Sequence, residues 1–246
     1  LDKANKIALV LFPFILALYV AFIEPNTIYE RDLQISANVD APLRVLFFSD
    51  SHYPAIPAGF FEKVRSARPD AILFGGDISS ELSEVVYQIS PQENERKYAE
   101  FFQNLSKIAP VYVVRGNHDY YSAKLQNVTY LNGNAAVLRG LKICGTDYYG
   151  YSNESNCDIE VVHSIERIGS VENASLSLLG HTHAGSMYIP IMTEWILSQK
   201  LCSECGKYRY GEQNADGKRI FTTSGIAAYP RFLAPPEIVV VDVGLK

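Results

Sequence analysis

The chain has 246 residues, 48% hydrophobic and 20% charged, with a formal net charge of -5. That is enough apolar material for one large domain or two small ones, and the acidic balance leaves no electrostatic footprint for DNA or RNA, so no nucleic-acid partner is expected. A phosphorylated substrate stays admissible where metal ions supply local positive charge.

The first element is Ile7 to Ile23, an uncharged run of 17 residues between Lys6 and Glu24. As a helix it would span roughly 26 Å, the short end of what crosses a bilayer core. Tyr19 suits an interfacial position, and Pro13 is tolerated in lipid. No small-x-small cleavage pattern follows, and the run is long for a signal-peptide core. Residues 1–24 are therefore read as a single membrane anchor, ahead of a signal peptide or a buried helix. Lys3 and Lys6 precede the run, and Glu24, Glu30 and Asp32 follow it with only Arg31. The positive-inside rule would put the N-terminus in the cytoplasm and the main domain outside. Two basic residues leave the side open.

Residues 25–42 read as a linker and an edge strand, Asp32 to Val39, and residues 43–246 as the main domain. Leu43 to Phe48 is a central strand that ends in Ser49-Asp50-Ser51-His52. Phe60 to Ala67 has helical spacing and stops before Pro69. Ala71 to Phe74 is a strand ending in Gly75-Gly76-Asp77. The polar segment Glu81 to Ala109 reads as two helices broken at Pro91. Val111 to Val114 is the next strand, followed by Arg115-Gly116-Asn117-His118-Asp119. Strands alternating with helices indicate a parallel sheet with right-handed crossovers.

Beyond Asp119 the pattern changes. Asn127 to Leu131, Ala135 to Leu138 and Leu141 to Cys144 are short strands with turns at Gly133 and Gly140. They predict hairpins and a second, antiparallel-rich sheet. Ile159 to Val162 ends in His163, and Ser175 to Leu179 ends in Gly180-His181-Thr182-His183. Tyr188 to Ile191, Arg219 to Thr223 and Ile238 to Val243 complete the strands, with Glu194 to Gly211 as a long loop. The expectation is one α/β (α+β) domain of two sheet layers after the anchor.

The four cysteines are Cys144, Cys157, Cys202 and Cys205. The C-x-x-C spacing of the last two is compatible with a local disulfide, half a zinc site or a redox pair. No second C-x-x-C exists, so a disulfide or free thiols rank first, structural zinc second and redox catalysis last. The compartment is left open.

All five histidines, His52, His118, His163, His181 and His183, fall at or just past the end of a predicted strand. One such histidine is more often a turn cap or a satisfied core group, and for His163 alone that reading is preferred. Five together, with Asp50, Asp77 and Asn117, suit a pair of divalent cations bridged by Asp77. Such pairs, roughly 3.5–4 Å apart, clamp a phosphoryl group and lower the pKa of a bound water. Four imidazoles favour manganese, iron or zinc over magnesium and calcium. His118, beside Asp119, is left over for general acid chemistry or charge stabilisation. Arg115 could add phosphate-binding charge, with a plain surface role equally open.

Asp50-x-His52, Gly76-Asp77, Gly116-Asn117-His118-Asp119, His163 and Gly180-His181-Thr182-His183 occur in an order that resembles the calcineurin-like metallophosphoesterase superfamily. The resemblance implies a four-layer β-sandwich flanked by helices with a dimetal site at the strand ends. It implies one metal, manganese first with iron or zinc as alternatives, on Asp50, His52, Asp77 and His183. A second would sit on Asp77, Asn117, His163 and His181. His118 would act on the scissile phosphate, oriented by Asp119, while a metal-bound hydroxide attacks in line. Ser164-Ile165-Glu166 after His163 departs from the family pattern. The anchor, Ile23-Glu24-Pro25, Lys207-Tyr208, Gly225-Ile226 and Pro236-Glu237-Ile238 resemble the membrane-associated bacterial branch. That branch includes phosphodiesterases and UDP-diacylglucosamine pyrophosphatases; the Cys202–Cys205 segment departs from it. The expected function is hydrolysis of a phosphodiester or pyrophosphate on a lipid-linked or nucleotide-linked substrate, with no obligate protein partner. The alternatives are a catalytically idle scaffold of the same fold and a zinc-stabilised interaction protein, which would leave the five histidines unexplained.

Overall fold

A computed structural model of the chain describes residues 3–79, 89–119, 128–169, 173–215 and 217–246. Among these residues one sheet runs, in spatial order, β1 (Tyr29–Ala37), β12 (Glu237–Leu245), β2 (Leu43–Phe48), β3 (Ala71–Phe74), β4 (Val111–Val113) and β5 (Val128–Tyr130). The other runs β10 (Gly211–Ala215), β11 (Lys218–Thr222), β9 (Asn173–Leu179), β8 (Asn156–Val162), β7 (Leu141–Thr146) and β6 (Ala135–Leu138). The helices are α1 (Lys3–Leu18), α2 (Phe60–Ala67), α3 (Pro91–Ser106) and α4 (Met192–Lys200).

The layering follows from side-chain alternation. In β2, Leu43, Val45 and Phe47 enter the core between the sheets, while Leu46 and Phe48 point the other way, under the helices. β3 and β12 do the same: Ala71, Leu73, Val239, Val241 and Val243 lie inside, and Ile72, Phe74, Ile238 and Val240 lie under α2 and α3. Strands apolar on both faces are covered on both sides. The second sheet sends Ile143, Ile159, Val161, Leu176 and Leu178 into the shared core. Val162, Leu179 and Ile220 face outward against Leu197 of α4 and the Cys202–Tyr208 segment. The result is four layers, helix–sheet–sheet–helix, as expected.

α3 is capped as its sequence suggests, with Ser90 accepting from the Glu93 amide and Pro91 opening the first turn. The other helix expected before Pro91 falls on residues 81–88, outside the described residues, as does Asn127.

Several expectations are corrected. The second sheet is not antiparallel-rich: β7, β8, β9 and β11 pair in parallel, and only the outer pairs β6–β7 and β10–β11 are antiparallel. Hairpins form where the turn is tight, as at Arg139-Gly140, both with positive φ. The longer connections after β7 and β8 run back, so the next strand starts from the same end. Val128–Tyr130 joins the first sheet, parallel to β4. Tyr188 to Ile191 is no strand; Met187 makes an isolated bridge to Phe232, and Pro190 removes a ladder donor. Within Glu194 to Gly211 lies most of α4, which buries Thr193 and part of Leu197 one turn apart. Cys202–Cys205 and Cys144–Cys157 are both disulfides, leaving no free cysteine.

The N-terminal helix continues through a π-type turn, Tyr19–Ile23, and a 3-10 turn, Glu24–Asn26. Its window Leu9–Asn26 has a mean hydropathy of 1.8 and is 11% buried, long and apolar enough to cross a membrane by length and composition. Hydrogen bonds tie its end to the domain: Arg231 N–H donates to Val20 O (3.0 Å), Ala234 N–H to buried Glu24 Oε1 (2.8 Å) and Ala58 N–H to Asn26 Oδ1 (3.3 Å).

The helix-side core is aromatic. Phe102 is fully buried, with its ring centroid 5.3 Å from Phe74 and 5.4 Å from Phe101. Phe102→Ala is expected to lower unfolding stability by about 3–5 kcal/mol, read from denaturant unfolding of the full chain in detergent. A loss under 1 kcal/mol, roughly that of an exposed site, would contradict this packing.

Candidate metal centre

Parallel pairing delivers the C-terminal ends of β2, β3 and β4 from one sheet, and of β7, β8, β9 and β11 from the other, to one edge of the sandwich. The loops leaving these ends continue the ladders as backbone hydrogen bonds. Asp50 N donates to Gly76 O (2.9 Å) and His52 N to Asp77 O (3.1 Å). Gly180 N donates to His163 O (3.0 Å), and Ile226 N to Ser49 O (3.0 Å). Side chains on these loops are therefore held about as firmly as strand residues. Asp50, His52, Asp77, His181 and His183 all adopt positive φ, between 41° and 73°. That region costs a non-glycine residue about 1–3 kcal/mol and is concentrated at functional sites. The turn it makes aims each side chain back into the space between the sheet edges.

Two groups result. Asp50, His52 and His183 bring one ligand atom each within 4.8 Å of one another, and so do Asp77, His163 and His181. In the first, Asp50 Oδ1 lies 3.5 Å from His183 Nε2, and His52 Nε2 lies 3.2 Å from the same atom. In the second, His163 Nε2 lies 3.2 Å from Asp77 Oδ2, 3.0 Å from Asn117 Oδ1 and 3.2 Å from His181 Nδ1. Asp50 Oδ1 to His163 Nε2, at 4.0 Å, connects the groups. Asn117 thus joins the second group, while His118 stands beside the first, its ring centroid 5.8 Å from that of His52.

The outer nitrogens of three imidazoles are engaged by the protein. His52 Nδ1 meets Ser79 O (2.9 Å) and His163 Nδ1 meets Gly75 O (2.8 Å). A carbonyl only accepts, so both rings carry the proton on Nδ1 and turn Nε2 inward. His183 Nδ1 meets the Tyr229 hydroxyl at 2.6 Å. His181 Nε2 is buried with no hydrogen-bond partner. Facing oxygens and lone-pair nitrogens with one orphaned buried nitrogen fit divalent cations better than they fit each other. Carboxylate, amide and imidazole donors without cysteine suit transition metals.

In the metal-free protein a proton on His163 stands where a cation would sit. Burial works against the Asp77 carboxylate, yet the adjoining His163 holds it well below the usual carboxylate range. Burial likewise opposes charge on His163, but Asp77 and Asp50 push it up to about 10. Burial and His163 push His181 down to about 3, and burial and His52 lower His183, so these two rings are in the neutral form that binds metal. Burial raises Asp50, with His163 pulling it the other way.

Asp119 does something the sequence did not suggest. Its carboxylate accepts from the amides of Asp77 (2.8 Å), Ile78 (2.9 Å), Ser79 (3.2 Å) and Gly116 (2.9 Å), and from the Ser79 hydroxyl (3.2 Å). No described hydrogen bond joins it to the His118 imidazole. Where the sequence suggested that Asp119 orients the His118 ring, the structure places its carboxylate on the backbone amides of the two loops, since a buried carboxylate needs several donors. His118 is positioned instead through its main chain, its amide donating to Asp77 Oδ1 (2.9 Å) and its carbonyl accepting from Ser79 Oγ. Arg115 is fixed by Asp147, Nε to Oδ2 at 2.8 Å and Nη2 to Oδ2 at 2.7 Å. Both line a cavity of about 370 Å³ with Tyr148 and Asn132.

Sequence reasoning missed Tyr148, Ser79 and Tyr229. The Tyr148 ring centroid lies 5.9 Å from His163 and 5.5 Å from His181. The signal for Tyr148 was its place just past a strand, Leu141–Thr146, that ends at the same edge. Tyr229 sits in a loop pinned by buried Arg231, which donates to the carbonyls of Ala227, Ser224 and Ala234. No local pattern marks it.

Gly116 matters through Asp77. A Cβ built there would lie 2.7 Å from the Asp77 amide nitrogen and closer still to its carboxylate. Gly116→Ala is expected to displace Asp77, lowering stability by about 1–3 kcal/mol and weakening divalent-cation uptake. Denaturant unfolding and metal titration of the full chain check both; wild-type values in both would show the close approach to be dispensable.

A family model described as calcineurin-like phosphoesterase matches residues 43–185. A Helicobacter pylori protein named an uncharacterized metallophosphoesterase is 26% identical over 235 residues, covering 81% of this chain and 59% of that protein. The chain thus spans about three fifths of the length of that relative. A protein named phosphodiesterase YaeI, from Escherichia coli, is 26% identical over 265 residues and covers 92% of each. A crystal structure of zinc-complexed Vps29 from Entamoeba histolytica aligns with 80% of this chain and 84% of its own, at 16% identity and a TM-score of 0.41. With the matched segment running from the first core strand past His183, this chain belongs to the calcineurin-like phosphoesterase family.

Proposed function

We propose that the protein is a metal-dependent phosphoesterase that hydrolyses phosphodiester or pyrophosphate bonds on a lipid-linked or nucleotide-linked substrate at a membrane. The observation that carries the reading is the pair of adjoining donor groups, Asp50–His52–His183 and Asp77–His163–His181, on one strand-end edge. Asp50, His52, Asp77 and His183 would hold one divalent transition metal, and Asp77, Asn117, His163 and His181 the other. Manganese is the first choice, with iron or zinc as alternatives. Such a pair supplies charge for the phosphoryl oxygens and acidifies water at neutral pH.

The chain's own groups do the rest. Asp77 would serve both metals; one of its oxygens faces His163 and the other takes the His118 amide, so this carboxylate would couple metal spacing to the position of His118. The half-buried His118 imidazole hydrogen-bonds the leaving-group oxygen and gives it a proton. Asp119 keeps the loops after β3 and β4 at fixed separation. Arg115, anchored on Asp147, contributes binding to the substrate beside the 370 Å³ cavity, and Tyr148 walls it toward the metals.

Residues 1–24 are proposed as the anchor, 25–42 as linker and edge strand, and 43–246 as the catalytic domain. Two disulfides favour an oxidising compartment, in the same direction as Lys3 and Lys6 before the apolar run and Glu24, Glu30 and Asp32 after it. The catalytic domain is therefore proposed to face away from the cytoplasm. An alkaline phosphatase fusion at the C-terminus is expected to be active; a silent, fully expressed fusion would reverse the sidedness.

The catalytic proposal predicts manganese-dependent hydrolysis of a bis-aryl phosphodiester, abolished by chelator. In His118→Ala, kcat should fall about 10²–10⁴-fold with metal content unchanged. Full activity in that variant sinks the role of His118. Absence of turnover with any metal on any diester or pyrophosphate favours the idle scaffold.

A further inference from the structure

The connection that follows His183 carries an unusual exposed surface. Met187, Ile189, Ile191 and Met192 are 45%, 46%, 84% and 46% exposed. In α4, Trp195 (64%) and Ile196 (41%) follow Met192 at three and four residues, making one outward apolar face, while Thr193 and Leu197 face the protein. Leu233 (59%) belongs to the neighbouring loop. Among the described residues outside the N-terminal helix, other exposed large apolar side chains such as Val137, Tyr151 and Leu245 lie on different elements from these, while Leu201 (37%) caps α4 itself. Single exposed apolar residues need no explanation, but a contiguous set marks an interaction site. Ile191 sharpens the point: a β-branched residue at φ 69° is strained, and the strain holds its side chain out in solvent.

The surface is also continuous with the apolar helix. Tyr188 N–H donates to Phe232 O (2.8 Å), Phe232 N–H to Ser186 O (2.9 Å) and Arg231 N–H to Val20 O (3.0 Å). Exposed loop, neighbouring loop and helix end are thus joined by backbone hydrogen bonds. Lys200 ends α4 one turn past Ile196, and Lys207, 4.0 Å from Glu204, lines a pocket with Trp195. Lysine beside Trp, Met and Ile is what anionic headgroups over acyl chains would meet. The same elements adjoin the metal centre, because Tyr229 on the Arg231 loop contacts His183.

We propose that Met187, Ile189, Ile191, Met192, Trp195 and Leu233 form a second membrane-contact surface, which seats the catalytic domain on a lipid bilayer beside its metal centre. The proposal rests on the reading of the N-terminal helix as an anchor and adds to it. The helix holds the chain in the membrane; this face lies in the headgroup region, roughly 5–10 Å deep. The metal centre then opens at the level where the phosphoester of an amphiphilic substrate lies.

Trp195 is the one tryptophan in the chain and reports on this face directly. The full chain would be reconstituted into phosphatidylcholine–phosphatidylglycerol vesicles carrying brominated acyl chains. The expected result is quenching of Trp195 emission, stronger with bromine near the headgroups than near the chain ends. Ile191→Asp combined with Met192→Asp should lose that quenching, stay bound to vesicles through the helix, and hydrolyse a soluble bis-aryl diester at the wild-type rate. Emission insensitive to bromolipid but quenched by aqueous iodide, in a chain that floats with vesicles, overturns the surface and leaves the anchor standing. Emission shielded from both quenchers, with the chain cross-linking as a dimer, assigns the face to a second copy and also overturns it. A chain that does not float with vesicles overturns both membrane readings. Diester turnover reports on the catalytic proposal separately.

Discussion

Everything at the metal centre depends on strand direction. Side chains on a strand point up or down, but only its ends present loops, and in parallel pairing consecutive loops of one kind share an edge. Here both sheets are parallel through their centres, so two edges meet and seven strand ends surround one space. An antiparallel second sheet would have sent one of His163 and His181, which follow adjacent strands, to the far side. The fold thus assembles candidate ligands that lie up to 133 positions apart, from Asp50 to His183.

Concentration of polar groups at that edge is expensive. Asp50 and Asp77 are buried, four imidazoles crowd them, and five of the residues sit in left-handed backbone. A buried carboxylate is tolerated only with ample donors. Asp119 has them as four amides and a hydroxyl, so it serves as the internal brace of the two loops. Asp50 takes the His181 amide with both oxygens, and Asp77 shares itself between His118 and His163. Among the described residues His181 Nε2 is the buried imidazole nitrogen left without a hydrogen-bond partner, and bound cations would contribute to the stability of this crowded edge as well as to its chemistry.

The sequence made the candidate ligands legible because they punctuate strands: Asp50, Asp77, Asn117, His163 and His181 each follow a short apolar run, and a run of that kind has few readings. α2 and β3 were found at their observed ends for the same reason. Direction was less legible. Short strands after Asp119 look alike whether they return by a hairpin or run back to start again, so β5 was placed in the wrong sheet and β7 to β9 were given the wrong sense. Asp119 beside His118 suggested a pair, whereas in a tight turn adjacent side chains diverge and the carboxylate took the amides behind it. Tyr229 reaches His183 because an arginine buried in its loop holds that loop shut, a relation that no local spacing records.

The hydrogen bonds between helix end and domain, from Arg231 to Val20, from Ala234 to Glu24 and from Ala58 to Asn26, set the direction in which the helix leaves the body. A domain on a slack tether samples every orientation, and its catalytic mouth spends most of its time facing the wrong way. Here the helix continues into the body like a spar into a hull. With the helix in a bilayer, as proposed above, whatever fixes its tilt would also fix the heading and height of the metal centre, and a search in three dimensions would become sliding along one plane.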